Sequence, residues 1–139
     1  MKLTLLVEVF ESLRPEALHR LGEVYAPEAF FKDPFNEVTG LPAIRRIFEH
    51  MFETLHEPRF RVLNTLSDGG QAMVEWEFLF RIRRFRPQQS WCIRGVSHLR
   101  FEADGRVCYH RDFWDTGEEL YQHLPAVGPV VRWLRRRMA

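Results

Sequence analysis

The sequence predicts an α+β fold in which helices pack on one face of an antiparallel sheet. Apolar residues recur at helical spacing over residues 3–25 and 41–55, and at alternate positions over residues 59–114. The turn sequences SDGG, RFRPQQ and ADG divide the second region into four runs, as the strands of a meander would be divided. Because helices come first and strands follow, the helices are expected to lie together on one sheet face.

Helical spacing predicts two helices before residue 26 and a third after Gly40. Between them, EAFFKDP (28–34) is expected to be a short aromatic strand that ends at Pro34. The final segment, 117–139, predicts further helix with a break around Pro125. The apolar residues of the three helical faces are Leu3, Leu6, Phe10 and Leu13, then Leu18, Leu21 and Tyr25, then Ile44, Ile47, Phe48, Met51 and Leu55.

Alternation in the four runs assigns each side chain to a face of the sheet. The expected strands are RFRVLNTL (59–66), QAMVEWEFLFRIR (71–83), SWCIRGVSHLRFE (90–102) and RVCYHRDFW (106–114). In the second, the inner face carries Val74, Trp76, Phe78, Phe80 and Ile82. The ADG hairpin pairs Ser97 with Asp112 and Leu99 with His110, which places them on a common face with Trp114. If Trp91 and Trp114 mark that face as the inner one, polar groups are buried there and need partners or a ligand.

Length and composition predict one domain, residues 1–139, that buries a core without a metal ion or a disulfide. Aromatic residues make up 14% of the chain, which is more ring surface than a small core needs, so some rings are expected to line a cavity. A net charge of +1 gives no overall attraction to nucleic acid.

Motifs for nucleotide, phosphate or metal binding are absent from the sequence, and its six histidines lack ligand spacing. We therefore expect no cofactor, no metal ion and no nucleic-acid partner. Cys92 and Cys108 are expected to be buried free thiols. Glu8 and Glu11 interrupt the apolar start where a signal peptide would stay apolar, so a cytoplasmic location is expected.

Two motifs and the order of elements resemble a known superfamily. The motifs are YAPEAFFKDPFNEVTG (25–40) and GRVCYHRDFWD (105–115), and the likeness extends over nearly the whole chain. The chain resembles the nuclear-transport-factor-2-like superfamily, with ketosteroid isomerase and the SnoaL-like polyketide cyclases among its members. The resemblance implies a cystatin-like conical barrel, in which a curved antiparallel sheet wraps on N-terminal helices around a deep apolar pocket. It also implies a dimer formed through the sheet.

The resemblance assigns roles to individual residues. Asp33, directly before a proline, matches the proton-shuttling base of ketosteroid isomerase, and Asp112 resembles the strand aspartate used as acid or base in the cyclases. The isomerase's oxyanion tyrosine falls near Val9 or Phe10, and its neutral aspartate falls at Ser97, so both donors are missing. Since one such donor lowers the barrier by about 3–4 kcal/mol, an ordinary steroid isomerase is not expected unless His110 or Trp76 substitutes.

The candidate catalytic residues are therefore Asp33, His110 and Asp112. The candidate ligand-binding residues are Phe31, Trp76, Phe78, Trp91, Ser97 and Trp114. Structural alternatives stay open for each group. Asp33 fits a turn in which its carboxylate accepts backbone N–H groups, and His110 with Asp112 fits a buried polar bridge to Ser97. Trp76 and Phe78 fit an ordinary core.

Three hypotheses of function follow. The first is an isomerase or cyclase that moves a proton on an apolar carbonyl or polyketide-like compound, with Asp33 as general base and His110 and Asp112 as acid or orienting group. The second is a non-catalytic domain that binds a small lipophilic molecule or forms a dimer. The third is a membrane-surface adaptor led by the amphipathic basic tail VVRWLRRRM (130–138), for which a helix capping the barrel mouth is the preferred alternative.

A homodimer through the outer sheet face is also expected. Opposite charges and apolar residues mix on that face, and such a surface can complement itself across a two-fold axis. The residues concerned are Met73, Glu75, Glu77, Leu79, Arg94, Arg100, Tyr109 and Arg111.

Overall fold

A computed structural model describes all 139 residues. The chain forms one curved sheet with helices packed on it. In chain order the elements are α1 (Leu3–Glu11), a 3₁₀ segment (Pro15–Arg20), α2 (Leu21–Val24), β1 (Tyr25–Lys32), β2 (Glu37–Thr39), α3 (Leu41–Thr54), β3 (Leu55–Asp68), β4 (Gln71–Ile82), β5 (Trp91–Phe101), β6 (Val107–Phe113), α4 (Thr116–Glu119), a second 3₁₀ segment (Tyr121–His123) and α5 (Val127–Met138). The α+β class and the four-stranded meander expected from the sequence are confirmed.

The sheet has six strands in the order β2-β1-β6-β5-β4-β3 and does not close into a complete barrel. Neighbouring strands are antiparallel except β1 and β6, which run parallel. Register irregularities in β3, between His56 and Arg59 and between Val62 and Asn64, increase the local bend. The sheet therefore curves around the helices packed on its inner face.

The core lies between the inner face of the sheet and helices α1 and α3. Gly40, with φ of 99°, and Pro42 in the first turn fix the start of α3. Ile44 and Phe48 of α3 are buried against the sheet, as are three residues of α1: Leu6, Val9 and Phe10. This burial of apolar surface is the main stabilising contribution available to a chain that has no disulfide.

The predicted hairpin register is confirmed over the body of β5 and β6. Ser97 faces Asp112 and Leu99 faces His110 across the two strands. Near the turn a register shift pairs Phe101 with Val107, so the connection spans residues 102–106. The shift lies between Arg100 and the turn, so it does not change which face of the sheet Ser97, His110 and Asp112 occupy.

Two local expectations were wrong. The second helix is a 3₁₀ segment plus one α-turn, and Tyr25 opens β1 because its backbone pairs with Val107 of the parallel strand β6. The cysteines are not buried: Cys92 is exposed and Cys108 is half-buried. Alternation explains the exposure of Cys92, since it points away from the face that its neighbour Trp91 shares with the core.

Candidate functional site

A cavity of about 590 Å³ lies between α1, α3 and the inner face of the sheet. Of its 29 lining residues 21 are hydrophobic, so it suits a largely apolar molecule. Arg46 and His50 of α3 are exposed members of the lining, which shows that this side opens to solvent. The volume falls within the range of pockets that hold drug-sized ligands.

Three buried or half-buried polar side chains break the apolar wall on β5 and β6. The imidazole Nε2 of His110 lies 2.6 Å from Asp112 Oδ1, and the Ser97 hydroxyl donates to that same oxygen at 2.5 Å. Trp76 Nε1 donates to Ser97 Oγ at 2.9 Å. Beneath the wall, His110 Nδ1 lies 2.6 Å from the hydroxyl of Tyr25.

The chemistry of these five groups fixes the direction of the hydrogen bonds. Trp76 can only donate, so Ser97 accepts from it and gives its own proton to Asp112. If Asp112 is ionised and His110 is neutral, the carboxylate can only accept, so Nε2 carries the imidazole proton and Nδ1 accepts from Tyr25. Tyr25 and Trp76 therefore donate to His110 and Ser97, and these two residues in turn donate to Asp112.

Tyr25 is suited to the donor role. Its side chain is fully buried, and this burial, together with the negative charge of Asp112, raises the pKa of Tyr25 well above its usual value. The phenol therefore keeps its proton and remains a donor to His110. It does not line the cavity, so its effect on any ligand must pass through His110.

Asp112 has one carboxylate oxygen without a protein partner. Oδ1 receives both protein hydrogen bonds, whereas Oδ2 receives none and is not among the buried unpartnered atoms. The residue lines the main cavity and also a smaller one of about 520 Å³ beside it. One oxygen is thus fixed by the protein while the other remains able to meet a ligand.

Asp33 combines both of the alternatives that the sequence left open. Its Oδ1 accepts from the backbone N–H groups of Phe35 at 2.8 Å and Asn36 at 2.6 Å, the pattern of an aspartate that stabilises a turn. Its Oδ2 receives only the side-chain amide of Asn36, at 3.2 Å. Asp33 nevertheless lines both cavities together with Asp112.

Eight of the nine candidate residues line the main cavity. They are Phe31, Asp33, Trp76, Phe78, Ser97, His110, Asp112 and Trp114. Trp91 does not, which corrects its assignment as a ligand-binding residue. Its ring stacks on Phe80 at 6.3 Å and meets the edge of His123 at 6.2 Å, so the second 3₁₀ segment covers it.

Several residues of the site were not identified from the sequence. Tyr25 was assigned to a helix because its spacing from Leu18 and Leu21 fits one, although its side chain supports His110. Phe10, at one of the positions corresponding to the isomerase's tyrosine, lines the cavity with a ring 6.0 Å from the imidazole of His110. Nothing in the sequence marked Arg46 of α3 as a cavity residue, because exposed arginines are common on helices.

The C-terminal helix does not cap the cavity. No residue of α5 lines it, and of the apolar residues expected to pack over its mouth Val130, Trp133 and Leu134 are exposed while Val131 is half-buried. Leu120, before the second 3₁₀ segment, is the lining residue nearest to α5 in the chain. The preferred explanation of the tail as a lid is therefore wrong.

The curved open sheet, the helices on its inner face and the pocket between them define a protein of the nuclear-transport-factor-2-like class. Residues 6–110 match the family model described as a SnoaL-like domain. Because this match covers well over half of the chain, the chain belongs to the SnoaL-like domain family. No curated protein sequence matches the chain.

Solved structures of low sequence identity share the fold. A hypothetical protein with a ketosteroid isomerase-like fold from Catenulispora acidiphila DSM 44928, in complex with trimethylamine, superposes with a TM-score of 0.74 at 16% identity, over 89% of this chain and 93% of that one. A protein from Jannaschia sp. CCS1 assigned as a SnoaL-like polyketide cyclase gives 0.72 at 16% identity, over 91% and 90%.

An LEH-like epoxide hydrolase of M. tuberculosis gives a TM-score of 0.68 at 13% identity, over 96% of this chain and 92% of that one. At such identities the likeness establishes the fold and not the chemistry, because one fold hosts many activities.

Proposed function

We propose that the chain is a small acid–base enzyme, an isomerase or cyclase, that moves a proton on an apolar carbonyl or polyketide-like compound. The observation that carries this proposal is Asp112, which lines a mainly apolar cavity and has one oxygen held by two hydrogen bonds and the other unbonded. A carboxylate that is oriented by the protein and shielded by apolar walls suits proton transfer to and from carbon.

In the proposed reaction, Asp112 Oδ2 removes a proton from a substrate carbon next to a carbonyl group. The electron pair of the broken C–H bond moves into the carbonyl to form an enolate. The carboxylic acid then returns the proton, at another atom in an isomerisation or after ring closure in a cyclisation. Ser97 and His110 hold Oδ1 throughout, so that Oδ2 keeps one direction.

The substrate class follows from how enolate charge can be stabilised. The Ser97 hydroxyl and the His110 Nε2 proton are both engaged with Asp112, so neither is available to an oxyanion. A compound with several carbonyl groups spreads the charge over itself and has less need of a protein donor. This favours polyketide-like compounds over those with a single ketone.

Asp33 is proposed as the second carboxylate of the site. Its Oδ1 is held by the turn, while its Oδ2 has a single long contact, so this oxygen is available to a polar group of the substrate or to a second proton. Both carboxylates line the same cavity, which is the arrangement that a base and an acid acting on one molecule require.

The experiment measures exchange of the carbon-bound protons of an apolar 1,3-diketone in deuterated water, by NMR, with and without protein. Asp112→Asn should lower the catalysed rate about a hundredfold or more. Asp115→Asn is the matched control, since Asp115 is exposed and caps α4, and asparagine caps as well as aspartate. Equal rates for Asp112→Asn and the unchanged protein would remove the proposal.

A second candidate is non-catalytic binding of a lipophilic molecule. It is favoured by the turn bonds of Asp33 and by the internal partners of Ser97 and His110, which leave little unsatisfied polarity. A fluorescent apolar probe that binds the cavity, together with no catalysed exchange in the unchanged protein, would support this candidate instead.

A further inference from the structure

Helix α5 is attached to the body of the protein by its polar side. The guanidinium groups of Arg132 and Arg135 donate to the backbone carbonyl and the side-chain oxygen of Gln122, respectively. Gly128 is buried beside them, and a Cβ at that position would lie 2.6 Å from the same carbonyl oxygen. The helix is therefore held close to the second 3₁₀ segment by arginines and a glycine.

This attachment leaves the apolar side of the helix facing solvent. We call the exposed apolar residues of α5 the apolar strip: Val127, Val130, Trp133, Leu134 and Met138. Trp133 is 53% exposed and Val130 is 56% exposed. A surface helix of a globular protein has the opposite arrangement, with its apolar side on the core and its charges in water. An exposed patch of this kind marks an interaction surface.

All of the charged side chains of α5 are positive. Residues 127–138 contain four arginines and no acidic residue. Arg136 and Arg137 have no hydrogen bond or ion pair to the protein, and the guanidinium of Arg137 lies 5.8 Å from the ring centroid of Trp133. Tryptophan and aliphatic side chains beside arginines are typical of helices that lie in the interface of a bilayer.

We propose that α5 binds the surface of an anionic lipid bilayer, with the apolar strip among the headgroups and acyl chains and Arg136 and Arg137 on lipid phosphates. Charge complementarity favours this partner over a second copy of the chain. Strip-to-strip pairing would bring Arg136 and Arg137 of two copies near each other, with no acidic residue in either helix to offset their charge. A bilayer rich in phosphate supplies the missing negative charge.

The mode of binding is set by the length of the helix. No helix of the structure is long and apolar enough to cross a membrane. A helix of 12 residues spans about 18 Å, so α5 lies along the surface instead. Because Gln122 holds the opposite side, the helix can reach the bilayer without leaving the body of the protein. The proposal is independent of the chemistry in the cavity.

The test is sedimentation of the whole chain with vesicles of phosphatidylcholine, with and without phosphatidylglycerol. We expect binding to the anionic vesicles at low salt, release at high salt and little binding to pure phosphatidylcholine. The fluorescence of Trp133 should shift to shorter wavelength on binding. The Trp133→Phe variant should lose that shift, since the other tryptophans are buried or half-buried.

Two variants separate charge from apolar contact. Arg136→Gln/Arg137→Gln should weaken binding to anionic vesicles about twenty-five-fold, because each arginine contributes a factor of about five. Val130→Ser/Trp133→Ser/Leu134→Ser should abolish binding while keeping the Gln122 contacts and the melting temperature. Arg84→Gln/Arg86→Gln is the matched control, because it removes the same charge from the exposed β4–β5 turn. We expect it to bind as the unchanged chain does.

Three results would overturn the proposal. One is failure of the unchanged chain to bind anionic vesicles at low salt. Another is an equal loss of binding in the Arg84/Arg86 control, which would mean that net charge alone is responsible. The last is a strip variant that lowers the mass measured by light scattering and leaves vesicle binding intact, which would assign the apolar strip to a second copy of the chain.

Discussion

The hydroxyl of Tyr25 lies 2.6 Å from Nδ1 of His110, a residue 85 positions later in the chain. The two rings are also close to parallel, with centroids 5.9 Å apart. Because a buried tyrosine with a raised pKa donates this hydrogen bond, the imidazole keeps its proton on Nε2, facing Asp112. Tyr25 thus positions the carboxylate of the proposed reaction without contacting the cavity.

Replacing Tyr25 by phenylalanine should disturb catalysis more than binding. Without the hydroxyl, Nδ1 of His110 lacks a donor in a buried site, and the imidazole no longer prefers the tautomer that supports Asp112. The exchange rate under saturating substrate should fall about tenfold to a hundredfold, with KM nearly unchanged. Nitrogen-15 NMR of the imidazole reports the tautomer directly. An altered KM with an unaltered maximal rate would contradict this role.

The raised pKa of Tyr25 also predicts how stability depends on pH. Above about pH 10, the usual tyrosine value, the unfolded chain loses the phenol proton while the folded protein keeps it. The contribution of Tyr25 to the free energy of unfolding is therefore complete below that pH and declines as pH rises towards the folded-state pKa. Urea unfolding should show the unchanged protein losing its advantage over Tyr25→Phe above about pH 10. A constant difference across that range would refute the prediction.

The residues of the candidate site differ in how far the sequence could predict them. Ser97, His110 and Asp112 were placed on one face because strand alternation has a period of two and the ADG turn sets their pairing. The support from Tyr25 was not predictable, because it depends on a parallel pairing of β1 with a strand some 80 residues away. Local periodicity contains no information about such a pairing.

Two errors share a related cause. Trp91 was assigned to the correct face of the sheet. The sequence did not show that the second 3₁₀ segment, which contains His123, covers the Trp91 ring on that face. The amphipathic pattern of α5 was recognised, but not which side docks, because that depends on the distant contacts of Gln122. Periodicity identifies the two sides of an element; tertiary contacts decide which one is buried.

Isomerisation of a 5-ene-3-ketosteroid should stay at the uncatalysed rate. Phe10 presents a ring without a hydroxyl to the cavity, and the Ser97 hydroxyl already donates to Asp112, so no donor meets the enolate of an isolated ketone. The absorbance of the conjugated product measures the reaction. Turnover comparable to that of efficient isomerases would show that another donor is available and would contradict the assignment.

A homodimer through the outer sheet face remains a prediction. Glu77 is buried there between Arg61 and Arg94, while Met73 and Leu66 are paired across β3 and β4 and exposed. We expect light scattering to give the mass of a dimer, and Met73→Asp/Leu66→Asp to reduce it to that of a monomer. Val130→Asp, on α5 and away from the sheet, is the control and should remain dimeric. A monomer mass for the unchanged protein at micromolar concentration would remove this prediction.

Trp76 and Gly95 face each other across β4 and β5 and pack tightly together. A Cβ on Gly95 would lie 2.4 Å from the far edge of the indole, so the ring occupies space that only glycine leaves. The ring has little room to move, because its Nε1 donates to Ser97 and its edge packs at 5.9 Å from the Phe60 ring.

Gly95→Ala should therefore destabilise the fold by about 1–3 kcal/mol, although glycine to alanine in an unconstrained strand is favourable. Displacing the indole also breaks its hydrogen bond to Ser97, so the exchange rate should fall as well. Trp76→Phe provides the matched background: the smaller ring leaves room for the new methyl group, and Gly95→Ala should cost far less there. Urea unfolding of the four proteins of this cycle measures the coupling. Equal costs in both backgrounds would show that contact with Trp76 is not the reason for glycine at position 95.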